Sequence, residues 1–328
     1  MKTAVFGART SEGDIFREEA ALHGSEVVLT SKGLDEETLP LIAGCDAVAI
    51  VATNIIDDAA ARTLSEHGVK YILTRGTGYD HISREAVKKY GLRCANVPVY
   101  SYNAVSEHAV LLLLALLRGF KDTLRRADAL DFRLPRRPSR ELGEMTVGVF
   151  GTGLIGGHTA RTLHGMGSRV LAYTPHPKPE LEGVVEYVSR DELFARCEAI
   201  VFHCSLTPET RNVVNRENIA KMREGMYLVN AARGELFDFE AILEGLRSGR
   251  LGGLATDVYV DEGRFIYKDL KGQPTDPIMA GLLSMDNVLF TPHIAYYTDT
   301  AVRNMIRVTF DNLVEFCKTG GCKNEILK

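Results

Sequence analysis

The chain has 328 residues, 45% of them hydrophobic and 25% charged, and a formal net charge of −4. A chain of this length fills about two domains and buries roughly three quarters of its unfolded surface, so it needs no disulfide or metal staple. The slight negative charge offers no long-range attraction to nucleic acid or acidic lipid, which excludes both as expected partners.

The six cysteines, Cys45, Cys94, Cys197, Cys204, Cys317 and Cys322, form no Cys-x-x-Cys pair. Cys317 and Cys322 are close in sequence but have no histidine or cysteine neighbours at zinc-ligand spacing, so no metal site is expected. They read as free thiols of a reducing compartment. The N-terminus runs straight into a strand-like pattern, without the basic start and long apolar run of a signal peptide. The most apolar stretch, residues 109–117, falls far short of the ~20 residues of a membrane span. The expectation is a cytoplasmic protein with no membrane partner.

In chain order, residues 2–6 read as a strand and 12–23 as a helix. Residues 27–29, 47–51, 71–74 and 92–96 follow as strands with helical patterns between them. Alternation of this kind predicts a parallel sheet covered on both faces. Residues 101–120 carry Ala104, His108, Leu111, Leu112 and Ala115 at helical spacing, which predicts one long helix carrying the chain into a second domain. Residues 131–140, basic and holding two prolines, read as an exposed, solvated loop. The pattern then restarts: Met145-Thr-Val-Gly-Val-Phe-Gly151 echoes Met1-Lys-Thr-Ala-Val-Phe-Gly7. Residues 146–151, 169–173, 200–204, 226–230, 253–257 and 288–291 read as strands, with a helix over 155–166. A last helical pattern, 298–318, is long enough to return to the first domain, which would then be discontinuous. The predicted class is α/β, with two doubly wound parallel-sheet domains.

The most informative segment is Val147-Gly-Val-Phe-Gly151-Thr-Gly153-Leu-Ile-Gly156-Gly157, lying between a strand and a helix. In this setting Gly-x-Gly-x-x-Gly reads as a dinucleotide-binding turn. Gly151 permits the turn, Gly153 lets the backbone approach a pyrophosphate, and Gly156 lets helix and sheet pack closely. Thr152, Leu154 and Ile155 complete the loop, and the helix N-terminus offers N–H groups to the phosphates. An acidic residue usually ends the second strand and holds the ribose 2′-OH. Here Ala172-Tyr-Thr-Pro-His-Pro-Lys178 places Thr174 there, with His176 and Lys178 close by. The expectation is NAD with weakened discrimination against NADP.

Hydride transfer to a 2-oxo acid needs a cation for the carboxylate, a proton donor for the new alkoxide, and a group that keeps the donor charged. Three candidates follow apolar strands, where doubly wound folds bind ligands. Arg233, in Leu228-Val-Asn-Ala-Ala-Arg-Gly234, offers a guanidinium fork that matches a carboxylate bidentately. His293, in Leu289-Phe-Thr-Pro-His-Ile-Ala-Tyr-Tyr-Thr298, is an imidazole able to exchange a proton near neutrality. A carboxylate partner lies in Gly253-Leu-Ala-Thr-Asp257-Val-Tyr-Val-Asp-Glu262, where these residues leave Asp261 and Glu262 both open.

These segments, with Thr74-Arg-Gly-Thr-Gly-Tyr-Asp-His-Ile82 and Asn96-Val-Pro-Val-Tyr-Ser101, resemble the D-2-hydroxyacid dehydrogenase family across essentially the whole chain, and most closely its D-lactate and D-2-hydroxyisocaproate dehydrogenase branch. The resemblance implies a discontinuous, flavodoxin-like substrate domain of residues 1–100 plus 299–328 and a Rossmann-like NAD-binding domain of residues 101–298. It implies Arg233 on the carboxylate and the 2-oxo oxygen, His293 as acid and base, and Glu262 as its partner. It also implies Asp257 at the nicotinamide carboxamide, backbone N–H groups of Thr77 and Gly78 at the carboxylate, and Tyr100 and Tyr296 lining the substrate pocket. The family is usually homodimeric, and its product is the D-(R) hydroxy acid.

Three departures stand out. Ser101-Tyr102-Asn103 replaces Ser-Pro-Asn of close relatives, which puts the start of the linker helix in question. Thr174 replaces the acidic residue. Ile50-Val-Ala-Thr53 carries small residues where lactate-specific members often have a bulky one, which predicts a roomier pocket and 2-oxo acids larger than pyruvate. Rival readings are a glyoxylate/hydroxypyruvate reductase, an (R)-2-hydroxyglutarate dehydrogenase needing a further cation such as Arg9 or Arg75, and a dinucleotide-sensing corepressor-like binding protein.

Overall fold

The computed structural model describes residues 1–135, 138–273 and 275–327. The chain divides into two compact units: Met1–Ser101 with Tyr297–Lys328, and Tyr102–Tyr296.

The first unit alternates strand and helix: β1 (Lys2–Val5), α1 (Gly13–Leu22), β2 (Glu26–Leu29), β3 (Ala47–Ile50), α2 (Asp58–Glu66), β4 (Tyr71–Thr74), α3 (Arg84–Lys89) and β5 (Arg93–Ala95). The strands pair in the order β2-β1-β3-β4-β5, all parallel. β3 is buried along its whole length, as a central strand covered on both faces must be. The helices begin at side-chain caps: Asp57 accepts from Ala60 N, and Ser83 from Ala86 N.

The second unit opens with α4 (Tyr102–Leu117) and α5 (Phe120–Asp128). The single long helix expected over 101–120 is thus two, meeting at a 67° bend. Gly119 takes φ 57 and caps α5, a left-handed conformation that glycine adopts without a Cβ clash and that breaks the helical path. α4 lies wholly in the second unit, with Leu112, Leu113 and Leu116 in its core. Of the loop expected at 131–140, Arg136 and Arg137 lie outside the described residues; the rest is coil apart from a bend at Arg133. Among the described residues no single helix is long and apolar enough to cross a membrane.

The unit continues with β6 (Thr146–Phe150), α6 (Leu154–Gly165), β7 (Arg169–Tyr173), β8 (Glu186–Tyr187), α7 (Arg190–Arg196), β9 (Ala199–Phe202), α8 (Arg216–Lys221), β10 (Met226–Asn230), α9 (Phe239–Arg247), β11 (Leu251–Thr256), α10 (Pro277–Leu283) and β12 (Val288–Phe290). The strand order is β12-β11-β10-β9-β6-β7-β8, parallel throughout. The order reverses between β6 and β9, the kind of switch point at which such sheets bind ligands. β8, only two residues long, is absent from the sequence reading because two residues carry no periodicity.

The last helix, α11 (Asp299–Thr319), belongs to the first unit. Phe310 packs edge-on to Phe16, and Phe316 stacks on Tyr71. Beyond it, Glu325 takes a bidentate bond from Arg93 at 2.8 and 2.6 Å, and Ile326 N donates to Cys94 O. These contacts explain why the first unit is built from both ends of the chain.

Candidate active site

The glycine loop behaves as its spacing demands. Gly151 has φ 96, and a Cβ there would lie 2.8 Å from Cys204 N, at the end of the neighbouring β9. A Cβ on Gly156 would lie 1.8 Å from Gly151 O, so α6 sits against the loop only through glycine. Gly153, the N-cap of α6, faces open space instead. The two packed glycines hold the turn while the third leaves its outer face clear, which fits a pyrophosphate at the N-terminus of α6. Thr152 is buried with its hydroxyl 3.3 Å from Tyr187 Oη, which also accepts from Lys178 N. Thr174 follows β7 half-buried, and His176 and Lys178 are exposed.

Below this loop runs a directed hydrogen-bond chain. Thr159 Oγ1 donates to Ser106 Oγ at 3.0 Å, so His203 Nε2, 2.9 Å from Thr159, is the donor there. Ser106 Oγ also lies 3.1 Å from His158 Nδ1. Burial pushes the His203 imidazole down to about 4, so it is neutral at physiological pH.

Arg233 is set by what surrounds its backbone. Asn230, fully buried at the end of β10, donates to Arg233 O and accepts from Ala232 N, which folds the strand end into a tight loop. A Cβ on Gly234 would lie 2.1 Å from Tyr259 C and 2.6 Å from Val260 N, so the loop lies backbone to backbone on the segment leading to Glu262. Glu262 Oε2 accepts from Tyr259 N at 3.3 Å, while Oε1 stands 2.5 Å from His293 Nδ1. The carboxylate on the imidazole is therefore Glu262; Asp261 takes φ 50 and caps the short 3-10 turn Glu262–Arg264. With Nδ1 donating to Glu262, Nε2 is the ring nitrogen available for proton transfer.

His293 itself has φ 53, a rare conformation outside glycine. Its N–H donates to Asp257 O at 2.8 Å. The Asp257 carboxylate accepts from Thr291 Oγ1, Ile294 N and Ala295 N at 2.6, 2.9 and 2.9 Å. His108 Nε2, on α4, reaches Thr291 Oγ1 at 3.0 Å. Burial alone would raise the Asp257 carboxyl, but the bonds from His108, Thr291 and the two amides hold it below its ordinary value. Asp257 thus clamps the His293 loop, besides the cofactor contact the resemblance implies. Tyr296 stands edge-on to His293 at 6.1 Å, and Tyr267 Oη reaches both Tyr296 Oη and His293 O.

The structure thus brings Arg233, Asp257, Glu262, His293 and Tyr296 to adjoining loops at the ends of β10, β11 and β12. His108, Thr291, Asn230 and Tyr267 are contributors the sequence reading does not single out. A polar His108 on the apolar stripe of α4 is a visible signal; the other three are not distinguishable without their partners.

In the first unit, Asn96 Nδ2 donates to Thr77 O at 2.8 Å. The trans peptide turns the following Gly78 N–H the opposite way. Thr77 Oγ1 donates to Val97 O, and Tyr100 O accepts from Asn304 of α11. Arg75 is buried, paired with Glu12 at 3.0 Å and donating to Phe6 O and Gly7 O. Arg9 pairs with the same Glu12 at 2.7 Å and lies over the Tyr297 ring. Burial would raise the Glu12 carboxyl; Arg75, with Arg9, holds it below its ordinary value.

Residues 110–295 match the family model described as the NAD-binding domain of D-isomer specific 2-hydroxyacid dehydrogenases. Among curated proteins, an aromatic 2-oxoacid reductase of Clostridium sporogenes is 36% identical over 327 residues, 99% of each chain. Among solved structures, a D-lactate dehydrogenase of Treponema pallidum superposes with a TM-score of 0.89 at 33% identity, covering 99% of both chains. A D-2-hydroxyisocaproate dehydrogenase gives 0.90 at 34% identity over the full length of both.

Proposed function

This chain belongs to the D-2-hydroxyacid dehydrogenase family, NAD-dependent oxidoreductases of 2-oxo and 2-hydroxy acids, and from that premise we propose that Arg233, Glu262 and His293 are the residues with which it reduces a 2-oxo acid to the D-2-hydroxy acid. The observation that carries the reading is the 2.5 Å contact of Glu262 Oε1 with His293 Nδ1, on a segment locked to the Arg233 loop through Gly234.

The dinucleotide, when bound, supplies the hydride that reduces C2. The chain's own residues do the rest. Gly151, Thr152, Gly153, Leu154, Ile155 and Gly156 would hold the pyrophosphate, and Thr174 would meet the ribose. The Arg233 guanidinium holds the substrate carboxylate. Within the first unit, the N–H groups of Thr77 and Gly78 are the ones assigned to substrate binding. His293 Nε2 gives its proton to the C2 oxygen as charge develops there, and Glu262 stabilises the imidazolium that does so. Arg233 also faces the developing oxygen charge, a role worth ~10²–10³ in rate by analogy with a single oxyanion donor.

We assign the first unit to substrate binding and propose a side-chain pocket wider than pyruvate requires. Ala52 and Thr53 are small and exposed at the end of β3, and the relative from C. sporogenes is named for aromatic 2-oxo acids. Arg75 is committed to Glu12 and two carbonyls, which favours a substrate with one carboxylate over a 2-oxo dicarboxylate. NAD is the principal cofactor; exposed His176 and Lys178 beside Thr174 support additional use of NADP. The free thiols support a cytoplasmic setting. A homodimer is supported by an exposed apolar surface of Leu111, Phe120, Leu124, Leu130, Phe132 and Leu134 on and after α4 and α5, where α5 buries none of its residues within the chain.

The test is the initial rate of absorbance loss at 340 nm with NADH, then NADPH, over pyruvate, 2-oxoisocaproate, phenylpyruvate, 2-oxoglutarate and hydroxypyruvate. The expected result is the highest kcat/KM for an aryl or branched acid, a preference for NADH that stays modest, and at least ~10²-fold loss of turnover in Arg233→Gln and His293→Ala with NADH binding intact. Pyruvate giving the highest kcat/KM would overturn the pocket assignment. Near-normal turnover in either variant would overturn that residue's role.

A further inference from the structure

The segment that brings Glu262 to the imidazole takes a second hold on the same loop. Past the 3-10 turn Glu262–Arg264 the chain reaches Tyr267, which has φ 63, a conformation unfavourable for a bulky side chain and kept only where surroundings impose it. Tyr267 Oη donates to His293 O at 3.3 Å and lies 3.0 Å from Tyr296 Oη. The carbonyl can only accept, so the phenolic proton of Tyr267 goes to it, and Tyr296 is then the donor in the hydroxyl pair. The Tyr296 ring, so tethered, stands at 78° to the His293 imidazole with its centroid 6.1 Å away. One short segment therefore grips the His293 ring through Glu262 and its backbone through Tyr267, and fastens Tyr296 alongside.

We propose that Tyr267 is a positioning residue that determines substrate specificity: its hydroxyl pair with Tyr296 holds the Tyr296 ring as a fixed wall beside His293, against which a planar, aryl side chain of the 2-oxo acid packs. This rests on the reading of His293 as the proton donor and of Tyr296 as part of the substrate pocket. A wall held in one orientation loses little freedom when substrate binds, and an aromatic ring meets it in a defined edge or offset geometry. A one-carbon side chain such as that of pyruvate gains less from the wall, so the discrimination between the two acids depends on the tether.

The experiment measures kcat and KM for phenylpyruvate and pyruvate in the wild-type enzyme, Tyr267→Phe, Tyr296→Phe and the double variant, with the NADH Kd followed by fluorescence. The expected result is a phenylpyruvate-to-pyruvate ratio of kcat/KM that falls about fivefold in Tyr267→Phe, mainly through the KM of phenylpyruvate, the worth of one net hydrogen bond. Tyr296→Phe lowers it by the same factor, the double variant lowers it no further, and the NADH Kd stays where it was. An unchanged ratio in Tyr267→Phe, or effects of the two substitutions that multiply, would overturn the proposal. Should Tyr267→Phe fail to fold, Tyr296→Phe breaks the same pair from the other side, and an unchanged ratio there has the same force. A wild-type enzyme that turned over neither acid would remove the functional reading itself, whereas an active wild type with an unmoved ratio removes only the role of Tyr267.

Discussion

Asp261, Tyr267 and His293 all carry positive φ, and all three lie within the stretch that delivers Glu262 and His293 to each other. Non-glycine residues held this way cost about 1–3 kcal/mol each and persist only where their surroundings impose them. Here the surroundings are explicit: Asp257 gathers the Thr291 hydroxyl and two amides, and Tyr267 reaches the His293 carbonyl. Gly234 is the tightest position in this arrangement, because the atoms a Cβ would strike are the Tyr259 and Val260 backbone rather than a movable side chain. Gly234→Ala is therefore expected to shift the Arg233 loop and lower kcat/KM by ~10²-fold, since displacements near 1 Å can cost that much. The glycine loop is remote in sequence and NADH binding is expected to survive. Steady-state kinetics with a parallel NADH titration checks both; a fully active Gly234→Ala enzyme would mean that the loop tolerates the displacement.

Among the elements, α4 and α6 are joined to β9 by the chain from His203 through Thr159 and Ser106 to His158. The folded His203 imidazole titrates at about 4, below its ordinary 6.5, because burial disfavours its charged form. Between those values the unfolded chain binds a proton that the folded one does not, so stability is full above pH 6.5 and falls as the pH drops toward 4. By pH 5 the loss from this group is about 2 kcal/mol. Urea unfolding at pH 7.5 and 5.0 measures it, and His203→Asn should flatten the difference; an equal difference in the variant would assign the acid sensitivity elsewhere.

For the whole molecule, the apolar surface of α5 and the coil after it sets the expected assembly. Phe132 and Leu134 are 79% and 91% exposed within the single chain, an arrangement that favours coverage by a second copy. Sedimentation of the wild type is expected to show a dimer. Leu124→Arg with Phe132→Arg should yield monomers that still bind NADH, because the glycine loop and Thr174 lie on other elements. A wild-type monomer at micromolar concentration would remove the dimer from the proposal.

Most of the architecture was legible in the sequence because its signals are local. Buried parallel strands appear as short apolar runs, and the turn after β6 needs glycine at positions that only glycine can occupy. The positions of Arg233 and His293 were legible for the same reason, since each follows a strand, at the end of the sheet where this class of fold binds ligands. What the tertiary structure decided is what depends on residues far apart in the chain. The break between α4 and α5 was hidden because a lone glycine inside a helical pattern can be tolerated as well as end it, and only the fold shows Gly119 in the left-handed conformation. The choice of Glu262 over Asp261 at His293, the clamp from His108 through Thr291 to Asp257, and the Tyr267 tether each join groups that only folding brings within hydrogen-bond reach. Periodicity reports which face of an element is buried; it carries no information on which polar atom waits on the other side, and that is where the chemistry of this protein is set.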